Sequence, residues 1–284
     1  MNERSRPSPL TPALLWAGFL LTAAWTLAVR MTLFTGPRPF FVRPFAFGAG
    51  LVAANAVILW LSLRVGQDFP AGSALRRAWR LMAWAGALGV VRYGAIWSSI
   101  LRGQAAGQPS PMMVGAQMAG LVSVILLLAA LVMMRSPFAR LGLGRLRWPD
   151  WIAIGALIAM VPVLFLLRAN APVTPYRLPL LLAVQRFDPV LIAGCAIAGI
   201  LLLRVSRDLE GGSLAVSFRY VMLFGVARLL ALVVVLFPIG PMTAPLTAAG
   251  LASDWLIAIA VFYRWRLMRE AGEMAWEYET GSSS

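Results

Sequence analysis

The sequence contains no lysine and no histidine, and its only cysteine is Cys195. A retinal-type Schiff base requires a lysine, and the usual haem and zinc sites are built with histidine, so none of these is available to the chain. A lone cysteine cannot close an intramolecular disulfide. Since Cys195 falls within an apolar segment, we interpret it as a small packing residue. We therefore expect no cofactor and no metal site.

Charged residues are also scarce. Only 13% of the 284 residues are charged and 60% are hydrophobic, and the mean hydropathy is +0.79. Soluble domains carry about 25% charged residues. The much lower fraction in this chain excludes an ordinary water-covered surface and indicates a lipid environment. A β-barrel is excluded as well, because runs such as LVSVILLLAALVMM lack the alternating polarity of barrel strands. The sequence predicts an all-α, polytopic membrane protein.

Eight apolar windows follow one another along the chain, separated by segments rich in arginine, proline or glycine. A membrane-spanning helix needs roughly 20 mainly apolar residues, and each window approaches that length. We therefore predict about eight transmembrane helices, at residues 10–30, 46–63, 79–101, 113–134, 149–167, 188–203, 216–237 and 244–264.

All 25 basic residues are arginine, and their distribution predicts the topology. With eight spans, sixteen arginines lie on the side that holds both termini, seven lie on the opposite side, and two lie within helices. The positive-inside rule then predicts a protein of a bacterial inner membrane with both termini in the cytoplasm. The net charge of +14 follows from this arrangement and from attraction to anionic lipid. We therefore expect the lipid bilayer, and not nucleic acid, as a partner.

An internal duplication is the most specific pattern in the chain. Residues 63–73, LRVGQDFPAGS, match residues 203–213, LRVSRDLEGGS, without a gap, and the match includes polar and glycine positions that hydrophobicity alone does not require. Four helices return a chain to its starting side, so two such repeats would be parallel and related by a pseudo-twofold axis along the membrane normal. Ligand sites commonly form where repeats of this kind meet.

The duplication divides the chain into three parts. Residues 1–140 and 141–268 would each form a four-helix repeat, and residues 269–284 a cytoplasmic tail. The two copies of the loop motif would face the cytoplasm, where Ser73 and Ser213 suit helix N-caps. Alternatively, these loops form a docking surface for protein partners.

Three ionisable residues fall near the middle of predicted spans: Arg92, Arg228 and Asp254. Burying such a group costs about 2.5–3.5 kcal/mol on insertion scales, so it indicates function by default. Arg92 and Arg228 occupy equivalent positions, in GVVR and GVAR, and would face each other between the repeats. We predict that the three residues bind an anionic group of a small molecule or lipid. The alternative is an Arg–Asp salt bridge, with the second arginine bound to backbone carbonyls or Gln117.

Two uncharged polar residues, Asn55 and Ser123, lie at the same predicted depth. Polar side chains inside membranes usually hydrogen-bond between helices, and we predict this role for both.

No enzymatic motif accompanies these residues. The sequence has no paired carboxylates at catalytic spacing, no Ser-His-Asp set and no phosphate-binding glycine loop, so a non-enzymatic role is favoured. One interpretation is a transporter or permease that binds an anionic group between its repeats. The other is a non-catalytic subunit or sensor that anchors protein partners, for example in a respiratory or photosynthetic, quinone-linked assembly. A wet cavity around the buried charges would favour the first.

Overall fold

The computed structural model describes residues 10–32, 48–101, 111–170, 179–208, 212–236 and 240–281. Within these ranges every regular element is helical, which confirms the predicted all-α class. Nine α-helices are assigned: α1 (Leu10–Thr32), α2 (Gly50–Gln67), α3 (Ala74–Leu101), α4 (Pro111–Arg140), α5 (Trp148–Asn170), α6 (Pro179–Asp208), α7 (Gly212–Leu236), α8 (Thr243–Ala252) and α9 (Asp254–Gly281).

Each of the eight predicted windows coincides with a helix, and the eighth is divided between α8 and α9. Four of the described helices, α2, α4, α5 and α7, are long and apolar enough to cross a membrane, and α8 with α9 adds a fifth if the bent pair counts as one span. The apolar parts of α1 and α6 are shorter, at Pro12–Ala28 and Pro189–Val205. The described chain thus has the helices of a multi-pass membrane protein.

The first part of α9 is the centre of the bundle. Residues 252–262 are all buried, and α9 packs against α1, α2 and α7. A helix that is covered on every side must be apolar on every side, and DWLIAIAVF meets this requirement except at its first residue. That first residue, Asp254, is charged but nevertheless buried.

The outer helices expose their apolar side chains. On α5, Trp151, Ile158 and Leu166 are each more than half exposed, as are Leu14 and Leu21 on α1. Soluble proteins rarely expose apolar patches of this extent. These faces indicate contact with the lipid bilayer.

Two glycines allow neighbouring helices to approach backbone to backbone. A Cβ at Gly86 of α3 would lie 2.8 Å from the backbone nitrogen of Leu59 on α2. A Cβ at Gly199 of α6 would lie 2.9 Å from Cα of Met222 on α7. Small residues at such crossings are typical of helix packing in membranes, and any larger side chain would push the two helices apart.

The helix start predicted at Ser73 is confirmed. Its hydroxyl oxygen accepts a hydrogen bond from the backbone N–H of Arg76 at 3.1 Å, as an N-cap does. Gly72 precedes it with φ of 84°, a left-handed conformation that glycine adopts without strain. The equivalent side chain, Ser213, lies outside the described side chains.

An ion pair ties the start of α5 to the end of α6. Nε and Nη2 of Arg204 donate to the two carboxylate oxygens of Asp150 at 2.5 and 2.8 Å. The same carboxylate accepts the N–H of Arg147, which precedes α5, at 2.8 Å. Bidentate arginine–carboxylate pairs are among the stronger polar contacts, and these two side chains are only 12% and 11% exposed. Because α5 packs mainly on α6, the pair is a main attachment of this peripheral helix.

We expect Asp150→Ala to lower the free energy of unfolding by about 2–3 kcal/mol, because it removes charged hydrogen bonds that solvent barely reaches. Unfolding in mixed micelles by increasing amounts of a denaturing detergent measures this quantity. Glu270→Ala is the matched control: it removes the Arg266–Glu270 pair, whose side chains are 46% and 45% exposed, and should cost less than about 1 kcal/mol. Equal effects of the two changes would show that the Asp150 pair is not an attachment.

Candidate anion-binding cavity

A cavity inside the bundle brings the three predicted charged residues together. It lies between α2, α3, α4, α7 and α9, and it comprises about 450 Å³ free of protein atoms, counting the part that opens to the surroundings. The polar side chains on its wall are Asn55, Arg92, Tyr93, Ser123, Arg228 and Asp254.

Arg228 is held by several partners. Its Nη2 atom lies 3.4 Å from a carboxylate oxygen of Asp254, which makes an ion pair between α7 and α9. Its Nη1 donates to the carbonyl oxygen of Gly250 at 3.0 Å, and Nη2 donates to the hydroxyl of Tyr93 at 3.2 Å. The charge of Arg228 is therefore compensated within the protein.

The partners of Arg228 sit at a break between two helices. The chain bends by 42° between α8, which ends at Ala252, and α9, which begins at Asp254. A helix leaves unpaired carbonyls and partial negative charge at its C-terminus, and unpaired N–H groups and partial positive charge at its N-terminus. Arg228 binds the Gly250 carbonyl at the end of α8, while Asp254 occupies the first turn of α9. Each charge thus lies at the helix end that it stabilises.

Asp254 is bound on its other oxygen by Asn55. The side-chain amide of Asn55 donates to this oxygen at 3.0 Å and to the carbonyl of Leu51, one turn earlier in α2, at 2.9 Å. Ser123 of α4 donates to the carbonyl of Ala85 on α3 at 2.8 Å. The predicted interhelical hydrogen bonds of Asn55 and Ser123 are therefore confirmed.

Arg92 differs from Arg228. It lines the same cavity, but its buried Nε has no hydrogen-bond partner, and among the residues that the structure describes no carboxylate, carbonyl or Gln117 side chain binds it. Its guanidinium carbon lies 5.3 Å from the centre of the Tyr93 ring, a cation–π contact. The cavity therefore contains two arginines and one aspartate, and Arg92 supplies the positive charge that the described protein does not balance.

The sequence predicted these three charged residues but not the geometry that relates them. The alternative interpretation predicted an Arg–Asp salt bridge, and this bridge is present between Arg228 and Asp254. The alternative also predicted that the second arginine binds protein acceptors, and no such contact of Arg92 is found in the described chain. The role of Tyr93 and the helix break were missed. The Ser253-Asp254 pair was an available signal for the break, because serine and aspartate favour helix starts.

No protein-family model matches the chain, and neither the curated proteins nor the solved structures contain a significant match to it.

We expect Asp254→Asn to lower the free energy of unfolding by roughly 3–5 kcal/mol, because it leaves Arg228 without its carboxylate in a mostly buried site. Adding Arg228→Leu to this variant should recover much of the loss, since the unpaired charge is then removed. Arg92→Leu is the control and should cost less than about 1 kcal/mol, because no hydrogen-bond or ion-pair partner is lost. Unfolding in mixed micelles measures all three. An Arg92→Leu loss as large as that of Asp254→Asn would contradict this account of the site.

Proposed function

We propose that the chain is a transporter or permease of a bacterial inner membrane, and that it binds a small monoanion at Arg92 in the cavity between its two halves. The observation that carries this proposal is the charge balance: Arg228 has Asp254 as its ion-pair partner, while Arg92 has no anionic partner among the described residues. An uncompensated cation at membrane depth is costly and is usually retained for a function. One bound negative charge would neutralise the cavity.

The donors around Arg92 favour an anion with acceptor oxygens or a small inorganic anion. The guanidinium of Arg92 offers several N–H donors in a fork that suits a carboxylate. Tyr93 accepts a hydrogen bond from Arg228 through its hydroxyl oxygen, so its own proton is free to point toward a further acceptor. Small carboxylates, nitrate and halides have this chemistry. A lipid headgroup phosphate carries more bulk, and we place it second.

We propose further that the two halves are parallel four-helix repeats, residues 1–140 and 141–268, followed by a tail at residues 269–284. Two pairs of equivalent helices make equivalent contacts, since α2 packs on α9 and α4 packs on α6, whereas α1 packs on α8 and its equivalent α5 packs mainly on α6. Gly86 of α3 lies close to Leu59 of α2, and Met222 of α7 lies close to Gly199 of α6. The sequence alignment pairs Gly86 with Met222 and Leu59 with Gly199. The proposed tail boundary falls within α9, and residues 282–284 lie outside the described chain.

The proposed topology has eight crossings with both termini in the cytoplasm. It adds α1, α3 and α6 to the spans that length and composition identify. The concentration of arginine on one side of the eight-span arrangement supports it. In this orientation the end of the bundle that holds Arg64, Arg204 and Arg264 faces the cytoplasm.

A second candidate, a sensor or anchoring subunit, is favoured by the course of α9. This helix begins at Asp254 in the cavity and continues without a break to Gly281, over 28 residues or about 42 Å. A rigid helix that starts at the binding site and ends beyond the apolar bundle could carry a change at the site to a cytoplasmic partner.

The first test is anion-dependent stabilisation of the purified protein. A ligand at about 100 times its dissociation constant stabilises the folded state by about 2.7 kcal/mol. We expect sodium formate, acetate, nitrate or chloride, compared at constant ionic strength, to raise the melting temperature of the wild type and to leave Arg92→Gln unchanged. The control is Arg64→Gln, since Arg64 lies over the Trp60 ring and away from the cavity. Binding at Arg92 would be refuted if the anion no longer raised the melting temperature of either variant, or if it still raised that of Arg92→Gln.

Flux into liposomes then separates the two candidates. A transporter should move the stabilising anion across the membrane, with the flux reduced in Arg92→Gln and retained in Arg64→Gln. Binding without flux would favour the sensor. Spin labels at the end of α9, in a chain whose buried Cys195 is replaced by alanine, would then be expected to move when the anion binds.

A further inference from the structure

A second cavity lies at the end of the bundle where Arg264 is located. It comprises about 540 Å³ free of protein atoms, again counting the part that opens to the surroundings, and side chains of α3, α4, α7 and α9 form most of its wall. Ile257 lines both cavities. The second wall is almost entirely apolar, and its polar side chains are only Ser217 and Arg264.

These two polar side chains have no polar partner among the residues that the structure describes. Ser217 is 3% exposed, and its hydroxyl oxygen is buried without a hydrogen bond. Arg264, which is partly buried, has no ion pair or hydrogen bond to any residue that the structure describes. Leaving a buried hydroxyl unsatisfied costs about 1–3 kcal/mol, and an unpaired cation in apolar surroundings costs more. Ser217 lies in the second turn of α7, and Arg264 lies about 15 Å along α9 from Asp254, so both polar groups belong to the same end of the bundle.

The remaining wall suits a hydrocarbon chain. Trp79 and Met82 of α3, Leu131 and Met134 of α4 and Val221 of α7 face the space. Methionine side chains adapt their shape to an apolar ligand. A small hydrophilic anion would lose its hydration here without finding further donors, because only one hydroxyl and one guanidinium are present.

We infer that this second cavity binds a medium-chain fatty acid, with the carboxylate on Arg264 and Ser217 and the chain along the apolar wall toward Ile257, a distance of about 10 Å along α9. A carboxylate would satisfy both unpartnered groups, because it accepts from the guanidinium and from the hydroxyl. Charge complementarity selects the anionic head, and the apolar wall selects the chain. The inference concerns a site separate from Arg92 and does not depend on the proposed transport of a small anion.

The probe is decanoic acid that carries a photoreactive diazirine near its methyl end, added to the full-length protein in lipid nanodiscs. We expect the label to map to residues of the apolar wall, such as Met82, Leu131 or Ile257. Arg264→Gln should reduce labelling at limiting probe about tenfold, the loss expected for a charged hydrogen bond. Arg266→Gln is the control, since Arg266 is an exposed cation two residues away on the same helix, and its labelling should remain at the wild-type level. Ala260→Phe, which places a ring in the cavity, should also prevent labelling.

Two measurements on the wild-type protein test fatty-acid binding even if the variants fold poorly. The methyl ester of the probe, which has the same chain without the charge, should label the wild type about tenfold less than the acid. Unlabelled decanoate should compete, whereas phosphatidylglycerol should not. Equal labelling by acid and ester would overturn the inference, as would efficient competition by phosphatidylglycerol or a label confined to lipid-facing residues such as Val132 and Trp151.

Discussion

The arrangement of the bundle depends on one ion pair at a helix break inside it. Arg228 donates to the carbonyl of Gly250 near the end of α8 and faces Asp254 at the first turn of α9. Ser253 also donates to the Gly250 carbonyl, so the two charges act mainly by compensating the opposite partial charges at the two helix ends, which would otherwise face an apolar environment. Because α9 is the central helix, its starting point fixes the helices that pack on it. Asn55 adds α2 to the same network, and Tyr93 adds α3.

The same network explains why the cavity carries a net positive charge. Under the proposed duplication, each half contributes one arginine at an equivalent position, Arg92 and Arg228, but only the second half contributes an aspartate. The residue that aligns with Asp254 is Val124, and the one that aligns with Asn55 is Cys195. The polar partners have thus diverged between the halves, while the two arginines remain. Under this proposal, one arginine belongs to the fold and the other binds the ligand.

Sequence reasoning went further for the helices than for the site. The eight apolar windows coincide with helices because hydrophobic length is a local property that lipid makes decisive. Arg92, Arg228 and Asp254 could be singled out because their burial is costly wherever they point. Which arginine would pair with Asp254 could not be read from the sequence, since this depends on the 42° bend and on the side of α9 that faces α7. The Asp150–Arg204 pair and the second cavity were missed for the same reason: each is formed by residues from different helices whose relative positions the sequence does not specify.

Under the proposed function, Arg92 binds a monoanion while Arg228 remains paired with Asp254. Bromide tests it most directly, because its anomalous X-ray scattering identifies the ion without ambiguity. In crystals grown in sodium bromide we expect one anomalous peak within the cavity, in contact with the guanidinium of Arg92, and an unchanged pair between Arg228 and Asp254. A cavity without bromide, with Arg92 bonded to acceptors of the protein itself, would contradict the account.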